Sequence, residues 1–265
     1  MPRFAANLSM MFAEHAFLER FEAAAKAGFT AVEFLFPYDY PPDAIAERLR
    51  RNRLTQALFN LPPGNWSIGE RGLAALPDRF GELQDGVGLA LTYAAATGVK
   101  RLHLMAGNAD SGDARAIDAY RRSVAWAARE VARKGLDLVI EPINGRNMPG
   151  YFLNSFAFAE ALITELGLPN LKLQFDFYHR QIMHGDVTMA LRRLLPIIGH
   201  VQTASVPSRH EPLGEELNEA FLFDELDRLG YGGFVGCEYN PKQGTVAGLG
   251  WFAPYAAKSG AEQRP

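Results

Sequence analysis

Eight short apolar runs recur along this chain, each parted from the next by a stretch with helical patterning. They cover residues 4–8, 31–36, 55–61, 101–105, 136–140, 171–177, 197–203 and 234–239. The helical stretches lie at about 14–27, 42–51, 80–97, 113–133, 155–166, 187–195 and 222–229. Pro42 and Asp43 suit a first helical turn, and Gly28, Gly98 and Gly135 suit helix ends. Strands read as continuous apolar runs when both faces are buried, as in a parallel sheet covered by helices. A doubly wound sheet could use the same units, but no G-x-G-x-x-G follows the first run. The alternation therefore predicts an α/β fold, a single (β/α)8 TIM barrel over residues 1–258, with 259–265 as a C-terminal tail. The length of 265 residues is close to the ~250 typical of that barrel.

Composition narrows the class. The hydrophobic share of 48% and charged share of 22% are ordinary for a globular chain and exclude intrinsic disorder. Cys237 is the only cysteine, so neither an internal disulfide nor a cysteine-based zinc site is available. A net charge of −3 provides no electrostatic footprint for nucleic acid or an anionic membrane. No apolar run is long enough to span a bilayer. Glu14 and His15 interrupt the N-terminal stretch before a signal-peptide core can form. The expectation is a cytoplasmic enzyme with no nucleic-acid or membrane partner.

Barrel enzymes place reactive groups at the C-terminal ends of their strands. Four oxygen-bearing side chains stand there: Glu141 after LDLVI, Asp176 after LKLQF, Gln202 after IIGHV and Glu238 after FVGC. They are about one strand–helix unit apart, so they can converge on one point. Three clustered carboxylates would repel one another, and a divalent metal ion would relieve this. All-oxygen ligation suits Mg²⁺ or Mn²⁺.

The segments IEPINGRNMPGYFLN, LQFDFYHRQIMHGD, GHVQTASVPSRHEPLGEELN and YGGFVGCEYNP resemble the hydroxypyruvate isomerase family, of the xylose-isomerase-like barrel superfamily. FNLPPGNWSIGERG extends the match to nearly the whole chain. The resemblance implies a metal set of Glu141, Asp176, Gln202 and Glu238, with Glu141 and Glu238 as the catalytic acid/base pair. It implies interconversion of small hydroxy-oxo acids through an enediolate. Hydroxypyruvate with tartronate semialdehyde, and 2-oxo-tetronate with 3-oxo-tetronate, both fit. A ketose 3-epimerase acting on neutral sugars is the rival; such enzymes usually carry His where this chain has Gln202. A homo-oligomer is a further implication. An endonuclease of the same superfamily would want a His-rich zinc site and a basic groove, and a sugar-acid binding protein would not need the two glutamates.

Other residues are weighed individually. His179, three after Asp176, is expected to meet a substrate oxygen, as in related epimerases. Arg209 carries a planar fork suited to a substrate carboxylate, with pairing to Glu211 or Glu215 as the alternative. Arg146 is a second candidate for that job. Trp66, Glu70 and Arg71 lie on a long loop after the third strand, read either as a lid over substrate or as a packed surface loop. Asn7 and Glu33 are placed near the pocket mouth by position alone. His103 reads as a core residue, and His184, His200 and His210 carry no signal. Cys237 reads as a buried structural thiol.

Overall fold

In the computed structural model, which describes residues 1–259, the apolar runs form eight strands. β1 (Arg3–Asn7), β2 (Ala31–Phe34), β3 (Thr55–Asn60), β4 (Arg101–His103), β5 (Asp137–Ile140), β6 (Leu171–Asp176), β7 (Ile198–Thr203) and β8 (Phe234–Cys237) close in chain order into one barrel. The pairs β1–β2, β1–β8, β3–β4, β4–β5, β5–β6 and β7–β8 are all parallel. The fold is the single (β/α)8 barrel that the alternation predicts.

The helices are α1 (Phe17–Lys26), α2 (Pro42–Asn52), α3 (Phe80–Thr97), α4 (Ala114–Ala132), α5 (Phe156–Leu166), α6 (Phe177–His184), α7 (Val187–Leu194), α8 (Glu219–Arg228), α9 (Thr245–Gly248) and α10 (Ala253–Ser259). Local chemistry sets their ends. Asp113 and Ser155 cap α4 and α5 by accepting backbone N–H bonds from Arg115 and Phe158. Gly98 and Gly167 end α3 and α5 in the left-handed conformation.

Three details differ from the periodicity. α1 begins at Phe17, because residues 8–15 form turns instead, with Met10 and Met11 bonding back to Asn7. α8 begins earlier than its apolar pattern, because Asn218 caps it through Phe221 N–H. α6 was not anticipated: it starts directly after β6, and Phe177, read as strand, is its first residue. Ser259 is the last residue of α10; the rest of the expected tail, 260–265, lies outside the described residues.

The chain packs as two compact units. One comprises Met1–Ala57, Asp176–Leu195 and the chain from His200; the other comprises Leu58–Phe175 and Pro196–Gly199. Within the first, the small side chains Ala5, Ala31 and Ala57 pack together with Phe234. Phe4 meets Phe223 and Trp251 edge-on, while Phe29 stacks on Phe252 at 4.2 Å. These aromatic contacts tie the C-terminal helices to β1.

Within the second unit, the loop after β3 is anchored at its base. Gly72 bridges to Ala106, and Ala75 N–H also bonds to Ala106 O. Gly72 has φ +117°, and a Cβ there would lie 2.3 Å from Met105 O. Both conformation and space demand glycine. Gly72→Ala should lower stability by about 1–3 kcal/mol, as overpacking does, measured by urea denaturation. An unchanged midpoint would show that the loop base is not tightly seated.

Candidate active site at the strand ends

Parallel strands buried on both faces expose side chains to chemistry only where they end. Glu33 lies on β2, Glu141 directly follows β5, Asp176 ends β6, Gln202 lies near the end of β7, and Glu238 follows β8. All five are buried. Asp176, His179 and Glu238 each bring a ligand atom within 4.8 Å of the others, a buried Glu/Asp/His group that could hold a metal ion.

Asp176 divides its two oxygens between structure and chemistry. Oδ1 caps α6, accepting Tyr178 N–H at 2.7 Å. Oδ2 is buried and accepts no hydrogen bond among the described residues, with His179 Nε2 3.6 Å away. One residue thus serves as helix cap and candidate ligand. His179 sits on the first turn of α6, so the cap that starts the helix also brings this imidazole to the carboxylate.

Glu238 is met by Arg209. The guanidinium Nη2 pairs with Glu238 Oε2, and Nε donates to Glu238 O at 3.3 Å. Arg209 adopts φ +56° and places its guanidinium 5.0 Å above the Tyr178 ring. The acid it meets here, Glu238, lies 29 residues on, beyond Glu211 and Glu215, the two acids suggested by proximity along the chain.

Burial pushes both the Asp176 and Glu238 carboxyls above their ordinary range. Arg209 opposes the shift in each case, and the charge of Glu33 adds to it. The cause is desolvation of like charges packed close together. A cation would relieve the same strain, and the orphaned Asp176 Oδ2 is a fitting ligand atom. His179 adds an imidazole nitrogen to the carboxylate oxygens that could hold an ion there.

Gln202 donates its Nε2 to Glu33 Oε1 at 2.7 Å. Glu141 is buried with its Oε2 3.9 Å from His103 Nε2, and His103 Nδ1 lies 3.2 Å from Asn60 Oδ1. His103, read as a core residue, thus stands beside an expected catalytic acid.

The remaining candidates are placed differently. Glu70 braces its own loop, pairing with Arg79 at 2.8 Å and accepting Asn65 N–H, and the Arg79 contact holds its carboxyl below the usual range. Trp66 is partly exposed and stacks with Arg71, whose guanidinium lies 3.8 Å from the ring centre. Arg146 is exposed in the turn after Asn144.

Sequence reasoning undervalued Glu33, His200 and Asn7. Glu33 accepts from Asn7 Nδ2 at 3.0 Å, and its Oε2 lies 2.6 Å from His200 Nε2. The one available signal was spacing: His200 and Gln202 share a strand face, and an acid on another strand could answer both.

The sequence model of the xylose isomerase-like TIM barrel family matches residues 21–255. The chain belongs to this family. It is 55% identical to a 2-oxo-tetronate isomerase of Cupriavidus necator, covering 97% of this chain and all of that one. It is 43% identical to a hydroxypyruvate isomerase of Escherichia coli, covering 96% of this chain and all of that one. These similarities set it in the hydroxypyruvate isomerase branch. A solved structure described as an AP endonuclease, family 2, from Brucella melitensis superposes with a TM-score of 0.94 at 50% identity, covering 96% of this chain and 99% of that one. An L-ribulose 3-epimerase, at 20% identity and a TM-score of 0.76, shares the fold alone. Among the described residues, no helix of this family member is long and apolar enough to cross a membrane.

Glu238 is pushed up to about 7 from an ordinary 4.5. Between those values the folded protein binds more protons than the unfolded chain, so stability falls as pH rises through that window. With chelator present, the melting temperature should fall between pH 5 and pH 7.5. Glu238→Gln should flatten that fall. An identical slope in the variant would remove Glu238 as its source; circular dichroism melts at a series of pH values decide it.

Proposed function

We propose that this protein is an isomerase of small hydroxy-oxo acids, moving a carbonyl between neighbouring carbons by proton transfer through an enediolate. The observation that carries the reading is the buried meeting of Asp176, His179 and Glu238 at the C-terminal ends of the strands. The 2-oxo-tetronate and hydroxypyruvate isomerases among its relatives support the substrate class.

Glu141, Asp176, Gln202 and Glu238 would hold a divalent cation, Mg²⁺ or Mn²⁺, with His179 at its edge. When bound, the ion would supply Lewis-acid stabilisation of negative charge on the substrate oxygens. Glu141 and Glu238 are the acid/base pair. The proton on the hydroxyl-bearing carbon passes to one carboxylate, the C–H electron pair becomes the enediolate double bond, and the carbonyl π pair moves onto its oxygen. A proton returned to the former carbonyl carbon, with the hydroxyl proton passing from one oxygen to the other, leaves the carbonyl one position along. Burial raises the affinity of Glu238 for protons, which suits it to accept and return one.

Arg209 carries five donors on a planar fork, enough to serve Glu238 and a substrate carboxylate together. His179 would polarise a substrate oxygen. Trp66 and Glu70 belong to the loop after β3, where Trp66 could shield the substrate while Glu70 holds the loop in shape. Arg146 is a further candidate contact to an anionic substrate.

Proton exchange in D₂O followed by ¹H NMR tests the reading, with hydroxypyruvate, 2-oxo-tetronate and a free ketose offered side by side. Deuterium should enter the two acids and be lost on adding EDTA. Exchange confined to the ketose would make the protein an epimerase, and no exchange would sink the enediolate route. Abasic DNA serves as a control and should remain uncut. Glu141→Gln and Glu238→Gln should each lower kcat by ~10²–10⁴-fold, the usual worth of positioned acid/base groups. Arg209→Lys should raise KM for the acids well above any change for a neutral sugar. Equal changes would remove the carboxylate role.

A further inference from the structure

Glu33 is a buried acid that the proposed chemistry leaves unused. It is fully enclosed, and its carboxylate is met by polar groups from two other strands. Oε1 accepts from Asn7 Nδ2 at 3.0 Å and from Gln202 Nε2 at 2.7 Å, and Oε2 lies 2.6 Å from His200 Nε2. Asn7 is held in turn, its Oδ1 accepting Ser9 N–H at 3.0 Å. Space for this arrangement comes from Gly236: a Cβ there would lie 2.3–2.5 Å from the Glu33 carboxylate atoms.

A side-chain amide has two ends of nearly equal size and opposite chemistry. Oxygen can ligate a cation, whereas the NH₂ end repels one. Nothing in the shape of a pocket chooses between them; a hydrogen-bond partner must. An ionised carboxylate is acceptor-only, so it can hold just the NH₂ end. We propose that Glu33 is a positioning residue for Gln202: by taking the amide nitrogen it turns Oε1 toward the Asp176–His179–Glu238 group. His200 and Asn7 hold Glu33 in place for that task. The inference rests on the reading of Gln202 as a cation ligand, and it assigns Glu33 no contact with substrate or ion.

Mn²⁺ affinity, read from the EPR signal of free Mn²⁺, tests it without recourse to turnover. Glu33→Gln, close to isosteric, can accept or donate toward Gln202 and so no longer selects an end. It should weaken Mn²⁺ binding about 10–100-fold, as loss of an orienting partner does. Glu33→Asp keeps acceptor-only chemistry and should lose less. The double variant Glu33→Gln/Gln202→Glu exchanges donor and acceptor: the amide at 33 donates to a carboxylate at 202, which has no wrong end. It should recover at least about tenfold of the affinity lost by Glu33→Gln alone.

Unchanged Mn²⁺ binding in Glu33→Gln would overturn the inference. So would an equal loss in the double variant, which would mark Glu33 as a packing or charge element. Wild-type affinity in Gln202→Leu would overturn it too, by removing the ligand to be oriented, while leaving the proposed isomerase intact. Absence of Mn²⁺ binding by the wild-type protein would instead strike the metal reading itself. Melting curves on each variant separate these outcomes from misfolding: Glu33→Asp carries the test if Glu33→Gln does not fold.

Discussion

Gathering carboxylates out of water is the constraint around which this barrel is arranged. Glu33, Asp176 and Glu238 are all buried in one unit; the charge of Glu33 raises the cost of ionising the other two, and Asp176 adds to it at Glu238. Elementary electrostatics allows few solutions: protonate them, pair them with cationic groups, or bind a metal ion. The chain uses pairing where the structure shows it. Arg209 answers Glu238, while Glu33 instead accepts hydrogen bonds from the Asn7 and Gln202 amides. Asp176 Oδ2 is left without a hydrogen bond among the described residues, and that atom marks where a cation would complete the arrangement.

Secondary structure delivers these groups because helix and strand share residues at the junction. Asp176 closes β6 and caps α6, so one carboxylate terminates a strand, starts a helix and presents an oxygen to the site. The helix it starts carries His179 one turn on. A longer β6–α6 loop would have separated the two side chains. Arg209 reaches Glu238 by a different device, a left-handed backbone position between β7 and α8, whose carbonyl then accepts Asn240 N–H at 2.8 Å. The segments after β7 and β8 are thereby fastened to each other beside the site.

Much of this was legible in the sequence. Eight apolar runs imply eight strands, and a polar residue closing each of four runs implies a shared end of the barrel. Position along a strand survives folding, so Glu141, Asp176, Gln202 and Glu238 could be named in advance. What was hidden is contact between strands remote in sequence. Glu33 and His200 are 167 positions apart, and no local pattern couples them. α6 was hidden for another reason: LQFDFY is apolar enough to read as strand to its end, and only the capping hydrogen bond of Asp176 shows where the helix takes over. Glu70 could be placed on a long loop, but the contacts of its carboxylate with Arg79 and Asn65 could not be read from the sequence.

The Glu33 network shows how strand register becomes chemistry. β1 pairs with β2 so that Asn7 faces Glu33, and β7 pairs with β8 so that Gln202 faces Gly236. The first register supplies Glu33 with a donor from its neighbour. The second places a residue without a side chain beside the strand position that Glu33 must reach. A larger residue at 236 would occupy the volume of the carboxylate and cut β2 off from β7. A glycine in the barrel wall therefore decides whether a buried acid on one strand can orient an amide on another. That dependence runs through space alone, so a substitution at Gly236 would be felt at Gln202 by way of the Glu33 carboxylate between them.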